Sequence, residues 1–245
     1  MPSEAFIPSS GENEARSQRP DDRDLRGIWD ASRSLIISLA SSALFLILFA
    51  WLSEEVFEGE LQRFDLGVRI KVHEFFSPAV TTFMQCMTFL GSIGFLAALF
   101  AILVAVWLAK GMKRPAVWLA IAVGGSVILD VSLKLGFHRT RPVAFVGVLP
   151  LSYSFPSGHA LSSFCFYGVL AGLACARVKS RAIRILIWSV AAALVFAIGL
   201  SRIYLGVHYP TDVVAGYIAA AAWVSTLLFF AQRAKRHVRQ RAQRG

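Results

Sequence analysis

Six runs of about 20 residues almost free of charge constrain this chain more than anything else in it. They span residues 34–52, 88–109, 115–133, 159–176, 183–201 and 211–231. Backbone placed in hydrocarbon must satisfy its own hydrogen bonds, which leaves helices or a closed barrel. Barrel strands would show about 9–11 residues of alternating polarity, and these runs do not alternate. The predicted fold is therefore all-α: a polytopic integral membrane protein with six transmembrane helices. The second run is expected to reach back toward Pro78 and to bend about Gly91 and Gly94. Composition agrees, with 56% apolar and 16% charged residues, where a soluble domain carries about 25% charged.

The net charge of +10 does not point to nucleic acid, because the basic residues sit in short loops and a tail between apolar runs. Lys110, Lys113 and Arg114 follow the second run, and Arg177, Lys179, Arg181 and Arg184 follow the fourth. Arg233, Lys235, Arg236, Arg239, Arg241 and Arg244 follow the sixth, and Arg23, Arg26 and Arg33 precede the first. An even number of crossings puts all four groups on one side, which the positive-inside rule makes the cytoplasm. Both termini are expected there. Residues 1–33 read as a disordered polar tail with no apolar leader core in 1–24, 34–231 as the membrane domain, and 232–245 as a basic cytoplasmic tail. The expected location is a bacterial inner membrane. The long connection at about 53–78 is acidic and external. It reads either as an amphipathic helix on the surface or as an ordinary loop. Gly124-Gly125 and Gly168-x3-Gly172 read as close helix-packing faces. Trp223, inside the sixth run, fits no interfacial belt. Cys86, Cys165 and Cys175 lie in apolar stretches and read as buried apolar residues, with neither metal-ligand spacing nor a disulfide framework.

Three polar clusters break this pattern: Lys134-x6-Arg141-Pro142, Pro156-Ser157-Gly158-His159, and Ser201-Arg202-x5-His208-x3-Asp212. Topology puts all of them on the external face, at one membrane depth. Cutting a phosphate ester needs charge neutralisation, an in-line nucleophile and an acid for the leaving oxygen. Lys134, Arg141 and Arg202 supply fixed cations. Ser157 and Gly158 open a helix whose free N–H groups and dipole favour an anion, and Pro156 suits a helix start. His208 and Asp212 stand four apart, so a helix beginning near Pro210 lets the carboxylate orient the imidazole. That makes His208 the candidate nucleophile and Asp212 its orienter, with His159 the candidate acid and base. No cofactor or metal is called for.

Other polar residues near the clusters receive lesser roles. Asp130 is expected to pair with Lys134 one turn on. His138 reads as a lining or headgroup contact, and Arg139 as a headgroup contact or a solvated charge. Ser201 is expected to orient Arg202 or Asp212. Tyr204 and Tyr209 read as packing or interface anchors.

These clusters meet all three motifs of the type 2 phosphatidate phosphatase superfamily without a substitution, and the chain resembles that family over residues 134–212. The resemblance implies a six-helix membrane core and a metal-independent phosphohistidine mechanism. His208 would be nucleophile and His159 acid/base, and Lys134, Arg141, Ser157, Gly158 and Arg202 would hold phosphate. The expected function is hydrolysis of a lipid phosphate or diphosphate on the outer face. In size and layout the chain resembles bacterial undecaprenyl-diphosphate phosphatases, so undecaprenyl diphosphate ranks first, with a glycerolipid phosphate beside it. Alternatives are a lipid A 1-phosphatase, a lipid phosphotransferase sharing the covalent intermediate, and a non-enzymatic phospholipid transporter. The partners expected are the lipid substrate and the bilayer; the sequence leaves the oligomeric state open.

Overall fold

The structure, a computed structural model, describes residues 22–147 and 150–242. Among them every regular element is an α-helix: α1 (Asp22–Glu58), α2 (Gln62–His73), α3 (Pro78–Leu90), α4 (Ile93–Ala109), α5 (Lys113–Phe137), α6 (Gly158–Cys175), α7 (Arg181–Tyr204) and α8 (Pro210–Ala242). Residues 1–21 and 243–245, parts of the two predicted tails, lie outside the described residues. From Asp22 the chain is already helical, so α1 begins ahead of the first predicted run. At the other end α8 continues past residue 231.

Among the described residues, five helices are long and apolar enough to cross a membrane: α1 from Arg33, α5, α6, α7, and α8 as far as Ala234. The sixth crossing is the bent pair α3 and α4, which meet at 48°. The bend expected from the glycines is there, and Gly91-Ser92 makes it. Ser77 and Ser92 cap the two helices, accepting the N–H groups of Val80 and Phe95 at 3.3 Å each. A side chain on Gly91 would strike Ile198, so the glycine lets the break lie against α7. Gly94 has open space around it.

At the centre, α6 packs against α5, α7 and α8, while α1 runs along α8 and α3 along α7. Leu161, Cys165, Phe166, Ile198, Ala215 and Ala220 are fully buried there. Ile36, Ile47, Ile102, Ile128, Leu186 and Phe230 instead point outward. On a chain with six apolar crossings, that surface faces lipid rather than water.

Of the four glycines read as packing faces, Gly125 makes the close contact. A Cβ on it would run into the Trp223 ring, whose Nε1 donates to the Ala122 carbonyl at 3.1 Å. This accounts for a tryptophan in mid-membrane. Gly124 and Gly172 have no near neighbour, and Gly168 has one only at 3.9 Å. Cys165 and Cys175 are buried as expected, but Cys86 is exposed on α3.

The connection at 53–78 does form a helix, α2. Both of its sides are mixed: Asp65 and Arg69 turn inward together with Val72, while Arg63 and Lys71 face outward. Asp65 is fully buried and Arg69 nearly so, whereas Phe64, Leu66 and Ile70 are exposed. The reason is that α2 lies against the ends of α7 and α8, where the partners available are charged and hydrogen-bonding groups.

Candidate active site

The three clusters meet at one end of the bundle. Lys134 closes α5, and its ammonium pairs with Asp130 one turn back at 2.8 Å, as expected. His138 ends the helix in the left-handed region (φ 51°) and donates its N–H to the Lys134 carbonyl at 3.1 Å. That reversal starts the loop carrying Arg139 and Arg141. The His138 ring packs edge-on to Tyr153 at 4.6 Å.

Ser157 caps α6 by position, though its hydroxyl makes no capping bond. Its N–H donates to the Asp212 carbonyl at 2.9 Å, tying the starts of α6 and α8 together. Pro156 therefore precedes the cap instead of opening the helix. Gly158 passes beneath the Asp130–Lys134 pair. A Cβ there would lie 2.8 and 2.9 Å from the two Asp130 oxygens and 2.9 Å from Lys134 Nζ. His159 is one residue further into α6, within electrostatic reach of Arg202, His208, Lys134 and Arg141. All the predicted phosphate-holding and catalytic residues thus gather in one place.

The third cluster holds the most constrained groups. His208 and Asp212 are buried, with His208 Nδ1 3.3 Å from Asp212 Oδ2. The other ring nitrogen, Nε2, is 2.9 Å from Arg141 Nη1. A guanidinium can only donate, so Nε2 must be the acceptor and the ring proton sits on Nδ1, facing the carboxylate. Burial, first of all, pushes His208 down to about 4; Arg141 and Arg202 add to this, and Asp212 opposes it. The imidazole is neutral at neutral pH, with its lone pair aimed at a cation.

Arg141 is held in place by its own bonds, which together with the contact to His208 Nε2 engage all five of its N–H groups. Its Nε donates to the Ser152 carbonyl at 2.6 Å, and Nη1 to that of Val207 at 2.9 Å. Nη2 reaches Ser152 Oγ at 3.0 Å and the Tyr153 carbonyl at 3.1 Å. Burial lowers its pKa, while Asp212 and Asp130 pull it back up; the group stays cationic in any case. Arg202 Nη1 donates to Thr88 Oγ1 on α3. Its Nε, the Ser157 hydroxyl and Asp130 Oδ1 are buried without a partner. Buried polar atoms left unpaired are rare and costly, and the two donors among these would be completed by an anionic ligand.

Several residues here escaped the sequence reading. Ser154 donates its hydroxyl to Asp212 Oδ2 and lies 3.4 Å from His208 Nδ1. Arg139 is neither solvated nor at a headgroup position. Its Nη1 meets Asp212 Oδ1 at 2.5 Å, its Nη2 meets Asp65 Oδ2 at 2.8 Å, and its guanidinium lies 4.2 Å over the Tyr209 ring. Ser201 orients neither Arg202 nor Asp212; its hydroxyl donates to the Ile198 carbonyl one turn back at 2.6 Å. The inward side of α2 supplies Asp65, which also accepts from the Thr211 N–H at 3.0 Å and hydroxyl at 2.7 Å. A hint of this lay in an acidic residue four before an arginine within an amphipathic stretch, but nothing local names its partners.

Comparison with known proteins matches the same region. The sequence model of the PAP2 superfamily fits residues 115–237. Phosphatidylglycerophosphatase B of Bacillus subtilis is 30% identical over 154 residues, covering 62% of this chain and 73% of that one. An undecaprenyl-diphosphatase of Sulfolobus acidocaldarius is 28% identical over 130 residues, covering 48% and 55%. Among solved structures, the transmembrane PAP2 type phosphatidylglycerolphosphate phosphatase from Bacillus subtilis superposes with a TM-score of 0.69 at 25% identity. That match covers 80% of this chain and 96% of that one. With about half its length matched by the family, and a fold shared almost end to end with a solved member, the chain belongs to the PAP2 superfamily and is a membrane-spanning lipid phosphatase.

Proposed function

We propose that the protein removes phosphate from a lipid on the outer face of the membrane through a covalent phosphohistidine at His208, without a metal ion. The observation that carries this is the setting of His208 Nε2. It is the unprotonated nitrogen of a buried neutral ring, 2.9 Å from the Arg141 guanidinium, so a phosphate that draws the guanidinium from the ring onto its own oxygens takes the place facing the lone pair. Lys134, Arg141 and Arg202 neutralise the non-bridging oxygens, and the Ser157 hydroxyl and the first N–H groups of α6 complete the cradle.

In the first step the Nε2 lone pair forms the N–P bond while the P–O bond to the lipid breaks. The electron pair leaves on the lipid oxygen, which takes a proton from His159. Asp212 stabilises the cationic ring through the Nδ1 proton. In the second step His159 takes a proton from water, the hydroxide attacks phosphorus, and the N–P bond breaks to restore Nε2. Inorganic phosphate leaves.

The outer-face placement is supported by the lysines and arginines in the α4–α5 and α6–α7 connections, at the helix ends away from the site. For the substrate, similarity to phosphatidylglycerophosphatase B covers more of both chains than similarity to the undecaprenyl-diphosphatase. This moves a glycerolipid phosphate such as phosphatidylglycerophosphate ahead of undecaprenyl diphosphate, the first choice from sequence. The test is phosphate release in detergent micelles containing a chelator. Phosphatidylglycerophosphate, phosphatidate, undecaprenyl diphosphate and lipid A are compared, with His208→Ala as control. Turnover with the chelator, inhibition by vanadate and a dead His208→Ala variant are expected. Activity restored only by magnesium, or unchanged turnover in His208→Ala, would overturn the mechanism.

A further inference from the structure

Asp65 lies 74 residues before Arg139 and 146 before Thr211, on a helix outside the six crossings, yet it is fully buried against the nucleophile's support. Its carboxylate takes three bonds: the Thr211 N–H, the Thr211 hydroxyl and Arg139 Nη2. Arg139 then spans to Asp212 Oδ1, the oxygen that His208 does not use. On the other oxygen, Oδ2, Asp212 accepts from Ser154, from the Tyr209 N–H at 2.9 Å and from His208. One guanidinium is therefore shared by two buried carboxylates, and the chain of contacts runs from α2 to the ring nitrogen facing away from phosphate.

This arrangement has a directional consequence. A guanidinium with a single buried carboxylate would draw Asp212 to itself and neutralise it. Divided between two, it fixes the Asp212 plane while leaving more of that carboxylate's charge to the imidazole than a dedicated partner would. The phosphorylated imidazole is cationic, and that is the moment at which a negative charge beside Nδ1 is worth most. Thr211 and Asp65 also fix the first turn of α8, from which Asp212 projects.

We propose that Asp65 is a positioning residue for catalysis. Acting through Arg139, it holds Asp212 in the plane and charge state that keep the His208 proton on Nδ1 and favour the covalent intermediate. The proposal rests on the histidine nucleophile proposed above. Asp65 touches neither phosphate nor the reacting nitrogen, so its effect belongs to turnover and not to binding.

The experiment uses the full chain in detergent micelles with phosphatidate as probe and inorganic phosphate as competitive ligand. It compares Asp65→Asn and Arg139→Lys, the latter keeping the charge but losing the fork that reaches both carboxylates. Folding is followed by gel filtration and thermal unfolding, and the tautomer by NMR of the His208 ring nitrogens. The expected result for each folded variant is a fall of tenfold or more in kcat, phosphate inhibition within about twofold of the parent, and a mixed tautomer. A folded variant with parental kcat overturns the proposal. So does parallel loss of kcat and phosphate affinity, or failure of both variants to fold, since either marks a purely structural tie. His208→Ala separates the two readings. If it stays active the nucleophile is wrong; if it is dead while Asp65→Asn is normal, only the positioning role falls.

Discussion

Adding one methyl group at position 158 should disable the enzyme without unfolding it. The Cβ of Gly158→Ala would stand 2.9 Å from Lys134 Nζ and 2.8 and 2.9 Å from the Asp130 oxygens, whereas ordinary contact begins near 3.4 Å. All three atoms are the far ends of flexible side chains, so they can retreat without moving backbone. The pair is about 15% exposed, with side-chain values of 14% and 16%, so it has room to swing. Stability should therefore change by less than about 1 kcal/mol, helped by the better helix propensity of alanine near the start of α6. The ammonium, however, must withdraw by about 0.5 Å, and misplacing a catalytic group by about 1 Å can cost about 100-fold. We expect about a tenfold loss in kcat/KM, equivalent to about 1.4 kcal/mol of transition-state stabilisation. The assay is phosphate release from phosphatidate micelles at several substrate concentrations, beside a thermal unfolding curve. A double-mutant cycle with Lys134→Ala sharpens it, because the methyl should cost nothing once the lysine is gone. Parental activity in Gly158→Ala, or a tenfold loss that persists in the Lys134→Ala background, would refute the reasoning.

Further expectations follow from the same geometry. Ser154→Ala removes the hydroxyl that donates to the buried Asp212 carboxylate; the loss of about 1.5–3 kcal/mol for such a charged bond should appear as a drop of at least tenfold in kcat with KM held. Burial brings His208 down from 6.5 to about 4, and attack needs the neutral ring, so kcat/KM should be level down to pH about 5 and fall tenfold per unit below about 4; an acid limb near 6.5 would contradict the burial. The same depression acts on the fold: the unfolded chain takes the proton first, so the His208 contribution to stability is full above pH 6.5 and is lost as pH falls toward 4, which a pH series of unfolding midpoints would show. Gly125→Ala should lower thermal stability by about 1–3 kcal/mol through overpacking against Trp223, while leaving vanadate inhibition unchanged.

The helices and the meeting of the three clusters were legible in the sequence because both are carried by local pattern. Apolar runs of bilayer length report crossings, and an even number of them sends the clusters to one side, with none between Lys134 and His159 and two between His159 and His208. The break at Gly91 showed as well, since glycine amid a long apolar run has few other uses. What could not be read is pairing between distant polar residues. Arg139 looks like any loop arginine until Asp65, 74 positions away, is brought beside it. Ser154 looks like any loop serine until the chain folds it onto Asp212. Ser201 erred in the other direction: its place beside Arg202 suggested a partner in the site, but a serine within a helix can satisfy its hydroxyl on the preceding turn, as this one does on Ile198. A mixed polar and apolar helix was visible at α2, but which of its polar residues would meet water and which protein depends on what the ends of α7 and α8 offer.

The division of Arg139 between Asp65 and Asp212 also bears on how such proteins can be recombined. Position 65 belongs to a connecting segment that would ordinarily be exchanged freely between relatives to alter lipid preference. Here that segment carries one of the two carboxylates on which position 139 depends. A chimera that imports the 59–77 connection without an acid at 65 inherits an arginine with half its support. One that imports the 138–157 loop without an arginine at 139 buries two facing carboxylates with nothing between them. The two segments form a single unit of exchange, and functional chimeras are expected to come from moving them together.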